Sequence, residues 1–148
     1  MFSKSTEYAL RATIYIALKS SEEKKIGIVA IAKGINAPQS FTAKILQNLT
    51  NKKNGFIASM PGPSGGFYIR NADRKLPIYR VIEAMDETDV IEDCILGFPT
   101  CSDETPCSMH KAYKPLKLEL LKILKEKTID DLANGEDSLL RSGFVSFD

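Results

Sequence analysis

Apolar residues recur with helical spacing near the start of the chain, over residues 4–19. They form two neighbouring rows, Leu10, Ile14 and Ala17 in one and Ala9, Ala12 and Ile16 in the other. A helix that is apolar around much of its girth is buried on more than one side. Ser3 or Ser5 is suited to cap this helix, and Glu7 lies in the first turn, where the helix dipole favours a carboxylate.

Two shorter helical segments follow. Residues 29–36 predict a helix closed by Gly34, because glycine readily takes the left-handed conformation at a helix C-terminus. The next helix starts with Pro38 in its first turn and directs Ile45, Leu46 and Leu49 inward. Two short helices joined by a glycine turn, the second polar and basic outside, are typical of a helix-turn-helix. An ordinary pair of antiparallel helices would show the same pattern.

A β-hairpin is predicted directly after these helices. Residues 56–60 and 67–70 have the pattern of strands, and the glycine- and proline-rich loop 61–66 joins them. A hairpin in this position is the wing of a winged helix-turn-helix domain. The loop lacks the Lys-Ser/Thr ending and the following helix of a phosphate-binding loop, so we expect no nucleotide cofactor.

The C-terminal part is predicted to be helical. A short helix covers residues 76–86, and a long one runs from His110 to Lys127. The long helix carries an apolar row that favours pairing with a second copy, although packing within the chain is the alternative; the row is Tyr113, Leu116, Leu120 and Ile123 or Leu124. Thr128 to Asp131 has the pattern of a capping box that starts one more turn.

These elements predict a mainly α fold with a small β-hairpin wing (α+β). The expected organisation is a winged helix-turn-helix domain over 1–86, a cysteine-bearing loop over 87–107, a dimerisation helix region over 108–133 and a flexible tail over 134–148.

Composition adds a charge asymmetry to this picture. Residues 1–58 contain nine Lys/Arg and three Asp/Glu, whereas the remainder contains eleven Lys/Arg and sixteen Asp/Glu. A basic first part suits a surface that faces nucleic acid, although a solvated surface has the same composition. No apolar run approaches the roughly 20 residues that span a bilayer, and the N-terminus lacks a secretion signal. We therefore expect a cytoplasmic protein with no membrane partner.

All three cysteines and the only histidine lie in one segment of seventeen residues, from Cys94 to His110. An odd number of cysteines argues against a framework of disulfides. The spacing Cys-x6-Cys-x5-Cys is too wide for a zinc ribbon and suits a loop wrapped around a larger inorganic core. The segment therefore predicts an iron–sulfur cluster held by Cys94, Cys101 and Cys107. A zinc site, or a thiol switch that pairs Cys101 with Cys107, is the alternative.

Two further features concern the ligands. Thr105 and Pro106 have the pattern of a helix cap and first position, which would place Cys107 at a helix N-terminus and lower its thiol pKa. His110 is three residues past Cys107 and would share its face of a helix. His110 is therefore a candidate fourth ligand.

The order of parts resembles the Rrf2 family of winged-helix regulators, which includes IscR- and NsrR-type iron–sulfur repressors. The resemblance covers roughly residues 2–133 and rests on five motifs. These are Thr6-Glu-Tyr-Ala-Leu-Arg11, Ile31-Ala32 with Gly34-Ile35, Phe41-x-x-Lys-Ile-Leu-x-x-Leu49, Gly62-Pro-x-Gly-Gly-Phe67, and the three cysteines with a trailing histidine before the long helix.

The resemblance implies a homodimer, built by the long helix and the first helix, on a palindromic operator in double-stranded DNA. By position, the residues that would meet DNA are Gln39, Ser40, Phe41 and Lys44, with Ser64 and Gly65 at the wing tip. The chain departs from the family at Pro61, where an arginine is usual, and after Leu49, where the segment is about two residues longer. Lys52 and Lys53 are placed there to neutralise the DNA backbone.

The resemblance also leaves two candidates for the fourth ligand. His110 matches the histidine ligand of IscR-type members, and Glu7 matches a carboxylate that ligates the cluster across the dimer in other members. The cluster would be of the 2Fe–2S or 4Fe–4S type. The expected function is a repressor gated by redox state, nitric oxide or iron supply, and not an enzyme. A redox or electron-transfer protein is disfavoured because the chain has no flavin or dinucleotide fingerprint.

Overall fold

The structure is a computed structural model and describes residues 1–135. Within them the chain forms a mainly helical fold with one two-stranded antiparallel hairpin, as predicted. The elements are α1 (Lys4–Lys19), α2 (Ile28–Gly34), α3 (Gln39–Thr50), β1 (Ala58–Met60), β2 (Gly66–Tyr68), a 3-10 helix (Asn71–Lys75), α4 (Tyr79–Ala84), α5 (Asp89–Glu92), α6 (His110–Glu126) and α7 (Ile129–Ala133). All but the first two residues of the predicted tail lie outside the described residues.

Helix α1 is the centre of the core. It begins at Lys4, where the Ser3 hydroxyl accepts a hydrogen bond of 3.2 Å from the backbone N–H of Thr6. Its buried residues are Thr6, Ala9, Ala12, Thr13, Ile16 and Ala17. Helices α2, α3, α4 and α7 all pack against it. The predicted burial of α1 on more than one side is therefore confirmed.

Helices α2 and α3 form the helix-turn-helix, but the turn differs from the prediction. Gly34 is the last residue of α2 and has no positive φ; the left-handed residue is Asn36, with φ of 53°. Asparagine tolerates this conformation through local hydrogen bonding of its short polar side chain. Gly34 has another role, because a Cβ atom there would lie 2.2 Å from the ring of Tyr15. The glycine allows α2 to approach α1 closely.

The hairpin is shorter than predicted and pairs Ala58 with Tyr68 and Met60 with Gly66. Strand β2 also forms a bridge to Ile26, whose carbonyl accepts a hydrogen bond of 2.7 Å from Phe67 N–H. Gly66 has φ of 141°, and a Cβ atom there would lie 2.5 Å from the Ile26 carbonyl oxygen. The wing is therefore anchored to the segment before α2.

The C-terminal end of the described chain returns to the first helix. Thr128 and Asp131 form the predicted capping box at the start of α7, which buries Ile129 and Ala133. Arg74 connects three parts of the fold, because it donates to the Asp130 carboxylate at 2.9 Å and to the Ala17 carbonyl at 2.7 Å. Helix α7 therefore belongs to the packed core with α1.

Helix α6 packs against a second, smaller apolar cluster through part of its surface only. The buried members of this cluster are Tyr79, Ile82 and Ile91, and the half-buried members are Phe2, Leu120, Leu121 and Leu124. The helix begins at His110, as predicted. The alternative start at Thr105 is wrong, since Cys107 lies in a turn that precedes the helix and accepts a hydrogen bond from His110 N–H at 3.1 Å.

Candidate metal centre and nucleic-acid interface

The three cysteines meet in the loop between α5 and α6. Their Sγ atoms all lie within 4.8 Å of one another. The Sγ atoms of Cys94 and Cys107 are 3.6 Å apart. Cys101 completes the group, with its Sγ atom 3.5 Å from the backbone nitrogen of Cys107. The loop thus brings together three soft ligands that are seven and six positions apart in sequence.

Tight turns fold the loop into this shape. The carbonyl of Cys94 accepts a hydrogen bond of 2.9 Å from Gly97 N–H, and Gly97 has φ of 80°, a conformation that favours glycine. In the second half of the loop, the Ser102 hydroxyl accepts hydrogen bonds from the backbone N–H groups of Glu104 and Thr105. These turns direct the thiols inward without regular secondary structure.

The donor set fits a metal or cluster with thiolate ligands. Two sulfurs bound to one tetrahedral metal at about 2.3 Å are about 3.8 Å apart, close to the separation of Cys94 and Cys107. A cavity of about 370 Å³ opens beside the thiols, and the residues lining it include Cys94, Cys101 and His110. The three thiols therefore have the ligand chemistry to hold a metal ion or a cluster.

His110 lies at the edge of the cysteine group. Its Nδ1 atom is 3.4 Å from Cys101 Sγ, and its Nε2 atom is 2.8 Å from the carboxylate of Asp103. Asp103 in turn accepts hydrogen bonds of 2.8 and 2.6 Å from the Lys114 ammonium group. The pattern of cysteine and histidine spacing did not single out Asp103 or Lys114, although their charges and their places beside the ligands were visible in the sequence.

Glu7 lies elsewhere in the chain. It is in the first turn of α1, where its carboxylate is 3.7 Å from the Lys4 ammonium group. Among the described residues, the group of clustered potential ligands contains the three cysteines and not Glu7. That group does not include His110 either, whose Nδ1 atom contacts one of the three thiols, Cys101, at 3.4 Å.

The thiols differ in acidity. Burial disfavours the Cys94 thiolate, but hydrogen bonds from the backbone N–H groups of Phe98 and Leu96, and from the other two thiols, lower its pKa to about 7. At Cys101, the backbone N–H of Cys107 favours the thiolate, but burial and the neighbouring thiols together raise the pKa. Of these two thiols, Cys94 is thus the one with the lower pKa and the more easily ionised.

The residues expected to contact DNA are exposed, with the exception of Gly65 in the wing. Gln39, Ser40, Phe41 and Lys44 are exposed on α3, and half of the Phe41 surface is accessible. Ser64 is exposed at the wing tip, whereas Gly65 is half-buried and a Cβ atom there would lie 1.9 Å from the Met60 carbonyl oxygen.

Lys52 and Lys53 are exposed in the connection from α3 to the wing. A polar hollow of about 380 Å³ lies between this connection and the hairpin, lined among others by Lys52, Ser59, Tyr68 and Arg70. Arg70, which forms an ion pair of 2.7 Å with Asp73, was not predicted as part of this surface. The sequence feature that could have identified Arg70 is its position at the end of the predicted second strand of the hairpin.

The apolar row of α6 divides between two environments. Leu120 and Leu124 are half-buried against the small apolar cluster of the same chain. Leu116 and Ile123 are 67% and 48% exposed, and Tyr113 is half-buried. The row predicted for dimerisation therefore serves intramolecular packing in part, and its outer residues remain accessible.

A hydrogen-bonded connection joins the cysteine loop to the helical domain. The Tyr79 hydroxyl donates to the Glu92 carboxylate at 2.7 Å, and Lys117 of α6 donates to the Glu92 carbonyl at 2.8 Å. Glu92 is two residues before Cys94.

In the part of the chain that the structure describes, no helix has the length and apolar character needed to cross a membrane.

Comparisons with known proteins agree with this fold. The sequence profile of the Rrf2 family, described as an iron-dependent transcriptional regulator, matches residues 2–135. The regulator IscR of Pectobacterium carotovorum is 30% identical over 134 residues, which cover 89% of this chain and 78% of IscR. The regulator NsrR of Oceanobacillus iheyensis is 28% identical over 138 residues, which cover 93% and 92%.

The fold is also that of solved regulators. CymR, the global cysteine regulator of B. subtilis, superposes with a TM-score of 0.72 at 19% identity, covering 93% of this chain and 98% of CymR. These similar proteins are transcriptional regulators and not enzymes, which confirms the prediction on this point. The chain belongs to the Rrf2 family of DNA-binding transcriptional regulators.

Proposed function

We propose that the protein is a homodimeric repressor whose operator binding is controlled by an iron–sulfur cluster held by Cys94, Cys101 and Cys107. The observation that carries the proposal is the convergence of the three Sγ atoms within 4.8 Å, in a loop placed directly before the long helix. The relatives named IscR and NsrR support it. We propose that it acts in the cytoplasm, where thiols stay reduced.

His110 is the proposed fourth ligand. Its Nδ1 atom is already 3.4 Å from Cys101 Sγ, and its other ring nitrogen is held by a carboxylate, as is usual for histidines that bind metals. Glu7 is the competing candidate only if it reaches the site from a partner subunit. When bound, the cluster would supply a centre that reacts with oxidants and nitric oxide.

Dimerisation is proposed to use the outer face of α6. Met109, Leu116 and Ile123 are exposed apolar residues that follow one another at intervals of seven positions. This is the repeat by which two helices pair along a continuous seam, with Tyr113 and Leu120 beside it. Because the cysteine loop leads directly into this helix, its conformation sets where the seam begins.

DNA binding is proposed to place α3 in the major groove and the wing beside it. The polar and basic residues of α3 are exposed on one surface, with Lys52 and Lys53 available to the phosphate backbone. In a dimer the two α3 helices meet two half-sites of a palindrome. Their separation must match the spacing of those half-sites.

Contacts within the chain connect the site to the recognition helix. Glu92, at the end of α5, holds the Tyr79 hydroxyl of α4. Helix α4 packs against α3, and at its C-terminus Met85 Sδ lies 3.6 Å from the Asn48 side-chain amide of α3. We infer that loss of the cluster loosens the loop, and that α4 and α6 transmit this change to the position of α3.

Spectroscopy tests the proposal. Protein purified without oxygen is expected to be brown and to give the optical and Mössbauer signals of a cluster, which exposure to nitric oxide changes. The variant C94A/C101A/C107A is expected to be colourless. Since the chain has no other cysteine, this variant removes every thiol ligand. Colourless wild-type protein with stoichiometric zinc would contradict the proposal.

A cluster-free thiol switch is the second candidate, favoured by the 3.6 Å separation of the Cys94 and Cys107 Sγ atoms. The pair differs from the one suggested by the sequence, Cys101 with Cys107. Peroxide treatment of metal-free protein, followed by peptide mass spectrometry, distinguishes the two pairs. A Cys94–Cys107 disulfide that changes operator affinity in protein isolated without iron would favour this candidate over the cluster.

A further inference from the structure

We propose that Asp103 is a positioning residue that fixes the ring of His110 with its Nδ1 atom as the ligand nitrogen facing the cysteines. The inference rests on the proposed function, because it assumes that His110 binds the group held by the thiols. Asp103 would decide which of the two ring nitrogens of His110 is available to bind a metal. Neither the cysteine motif nor the family profile assigns a role to Asp103.

The hydrogen bond between the two side chains determines the tautomer. Asp103 Oδ1 lies 2.8 Å from His110 Nε2. An ionised carboxylate only accepts hydrogen bonds, so Nε2 must carry the proton in this contact. In the neutral ring, Nδ1 is then unprotonated, and its lone pair is directed to Cys101 Sγ at 3.4 Å. The His110 side chain is only 18% exposed, which restricts rotation of the ring.

Asp103 is itself held in place independently of the histidine. The Lys114 ammonium group, one turn further along α6, donates to both of its carboxylate oxygens, at 2.8 and 2.6 Å. On the other side, Asp103 lies within the turn closed by the Ser102 hydroxyl. Lys114 thus ties the Asp103 carboxylate to α6, and the same carboxylate accepts the hydrogen bond that orients the ring of His110.

The arrangement has a consequence for the site. Without Asp103, the proton is free to move to Nδ1, which would then direct a donor, and not a lone pair, toward the thiols. A carboxylate on the distal nitrogen of a ligand histidine also raises the basicity of the ligand. Removing it should therefore weaken metal binding while leaving all four proposed ligands in the chain.

Nuclear magnetic resonance can observe the tautomer directly, because the chain contains a single histidine. Metal-free, reduced protein labelled with 15N-histidine is measured at a pH where the ring is neutral. The wild type is expected to show an unprotonated Nδ1 and a protonated Nε2. Asp103→Ala is expected to show averaging between the two tautomers, and Glu104→Ala, which removes the next carboxylate in sequence, the wild-type pattern.

Binding of Co²⁺ to the reduced, metal-free protein provides the second measurement. Asp103→Ala is expected to lower the Co²⁺ affinity about 10- to 100-fold, whereas Glu104→Ala leaves it within about twofold. Circular dichroism verifies that both variants are folded. If Asp103→Ala kept the wild-type tautomer and the wild-type Co²⁺ affinity, the positioning role would be overturned. Because neither measurement involves iron, absence of a cluster would refute the proposed function without changing these results.

Discussion

The Tyr79 hydroxyl of α4 donates a hydrogen bond of 2.7 Å to the Glu92 carboxylate, two residues before the first cysteine of the loop. Burial and the neighbouring Glu92 both raise the pKa of Tyr79, so the hydroxyl remains a donor throughout the physiological pH range. Lys125 of α6 lies over the same ring, with its Nζ atom 4.8 Å from the ring centroid. Tyr79 is therefore the point at which the cysteine loop, α4 and α6 meet.

Tyr79→Phe removes this connection and keeps the ring. Loss of one partly buried hydrogen bond is expected to lower the free energy of unfolding by about 1 kcal/mol in denaturant titrations. It should also reduce the difference in operator affinity between cluster-loaded and cluster-free protein. Tyr15→Phe is the control, because no hydrogen bond to the Tyr15 hydroxyl is found within residues 1–135. If Tyr79→Phe and Tyr15→Phe had the same effect on the cluster-dependent difference in operator affinity, transmission through Tyr79 would be contradicted.

Leu116→Arg tests the proposed dimer seam. Leu116 is 67% exposed in the single chain, so a charge there leaves the fold intact but cannot be buried against a partner helix. Sedimentation or light scattering is expected to show a dimer for the wild type and a monomer for this variant. Leu118→Arg, at a residue that is also exposed but lies off the seven-residue repeat, should remain dimeric. A monomeric wild type would refute the seam.

Lys44→Gln tests the DNA-binding surface of α3. If Lys44 neutralises one phosphate, its loss weakens binding to all DNA sequences. The slope of log K against log salt concentration should become shallower by about 0.9 for each phosphate contact that is lost. Fluorescence anisotropy at several salt concentrations measures this slope. Lys122→Gln, which removes an exposed lysine of α6, is expected to leave the slope unchanged. The surface assignment fails if the two variants have the same slope.

Asp131→Ala tests the capping box that holds α7 against α1. Hydrogen bonding to Thr128, mainly to its backbone N–H and secondarily to its side chain, holds the pKa of Asp131 below its usual range. Its contribution to stability is therefore present above the unfolded-state pKa of about 3.9 and is lost as pH falls through the lower folded-state value.

The stability difference between wild type and Asp131→Ala should accordingly be largest near pH 7 and should close as the pH falls below about 4. Thr128→Ala, which removes the cap at any pH, is expected to cost about 1 kcal/mol. Denaturant midpoints across this pH range measure both effects. A difference between wild type and Asp131→Ala that stays constant down to pH 2 would contradict the assignment.

Local signals in the sequence predicted much of the fold. The bounds of α1 and the Thr128 capping box depend on residues next to one another in the chain, and both agree with the structure. Of the two candidate caps for α1, Ser3 and Ser5, the structure uses Ser3. The turn after α2 was assigned to the wrong residue, because Gly34 was explained by backbone conformation. Its actual constraint is the ring of Tyr15, nineteen positions away, which no local pattern reveals.

The candidate site was predictable in its ligands and not in their surroundings. Spacing alone grouped the three cysteines, since they are the only thiols of the chain. The Asp103 and Lys114 contacts, and the bond from Tyr79 to Glu92, depend on how the loop folds over α6 and α4. The apolar row of α6 also looked uniform, although packing divides it into residues that face the core and residues that do not.

The central claim is that the cysteine site controls operator binding. The most direct test measures operator affinity of wild-type protein and of C94A/C101A/C107A, with and without oxygen, on a binding site identified by selection from genomic DNA. We predict that the anaerobic wild type differs from both the air-exposed wild type and the cysteine-free variant by at least about tenfold. Equal affinity of the wild type and the variant under both conditions would contradict the account.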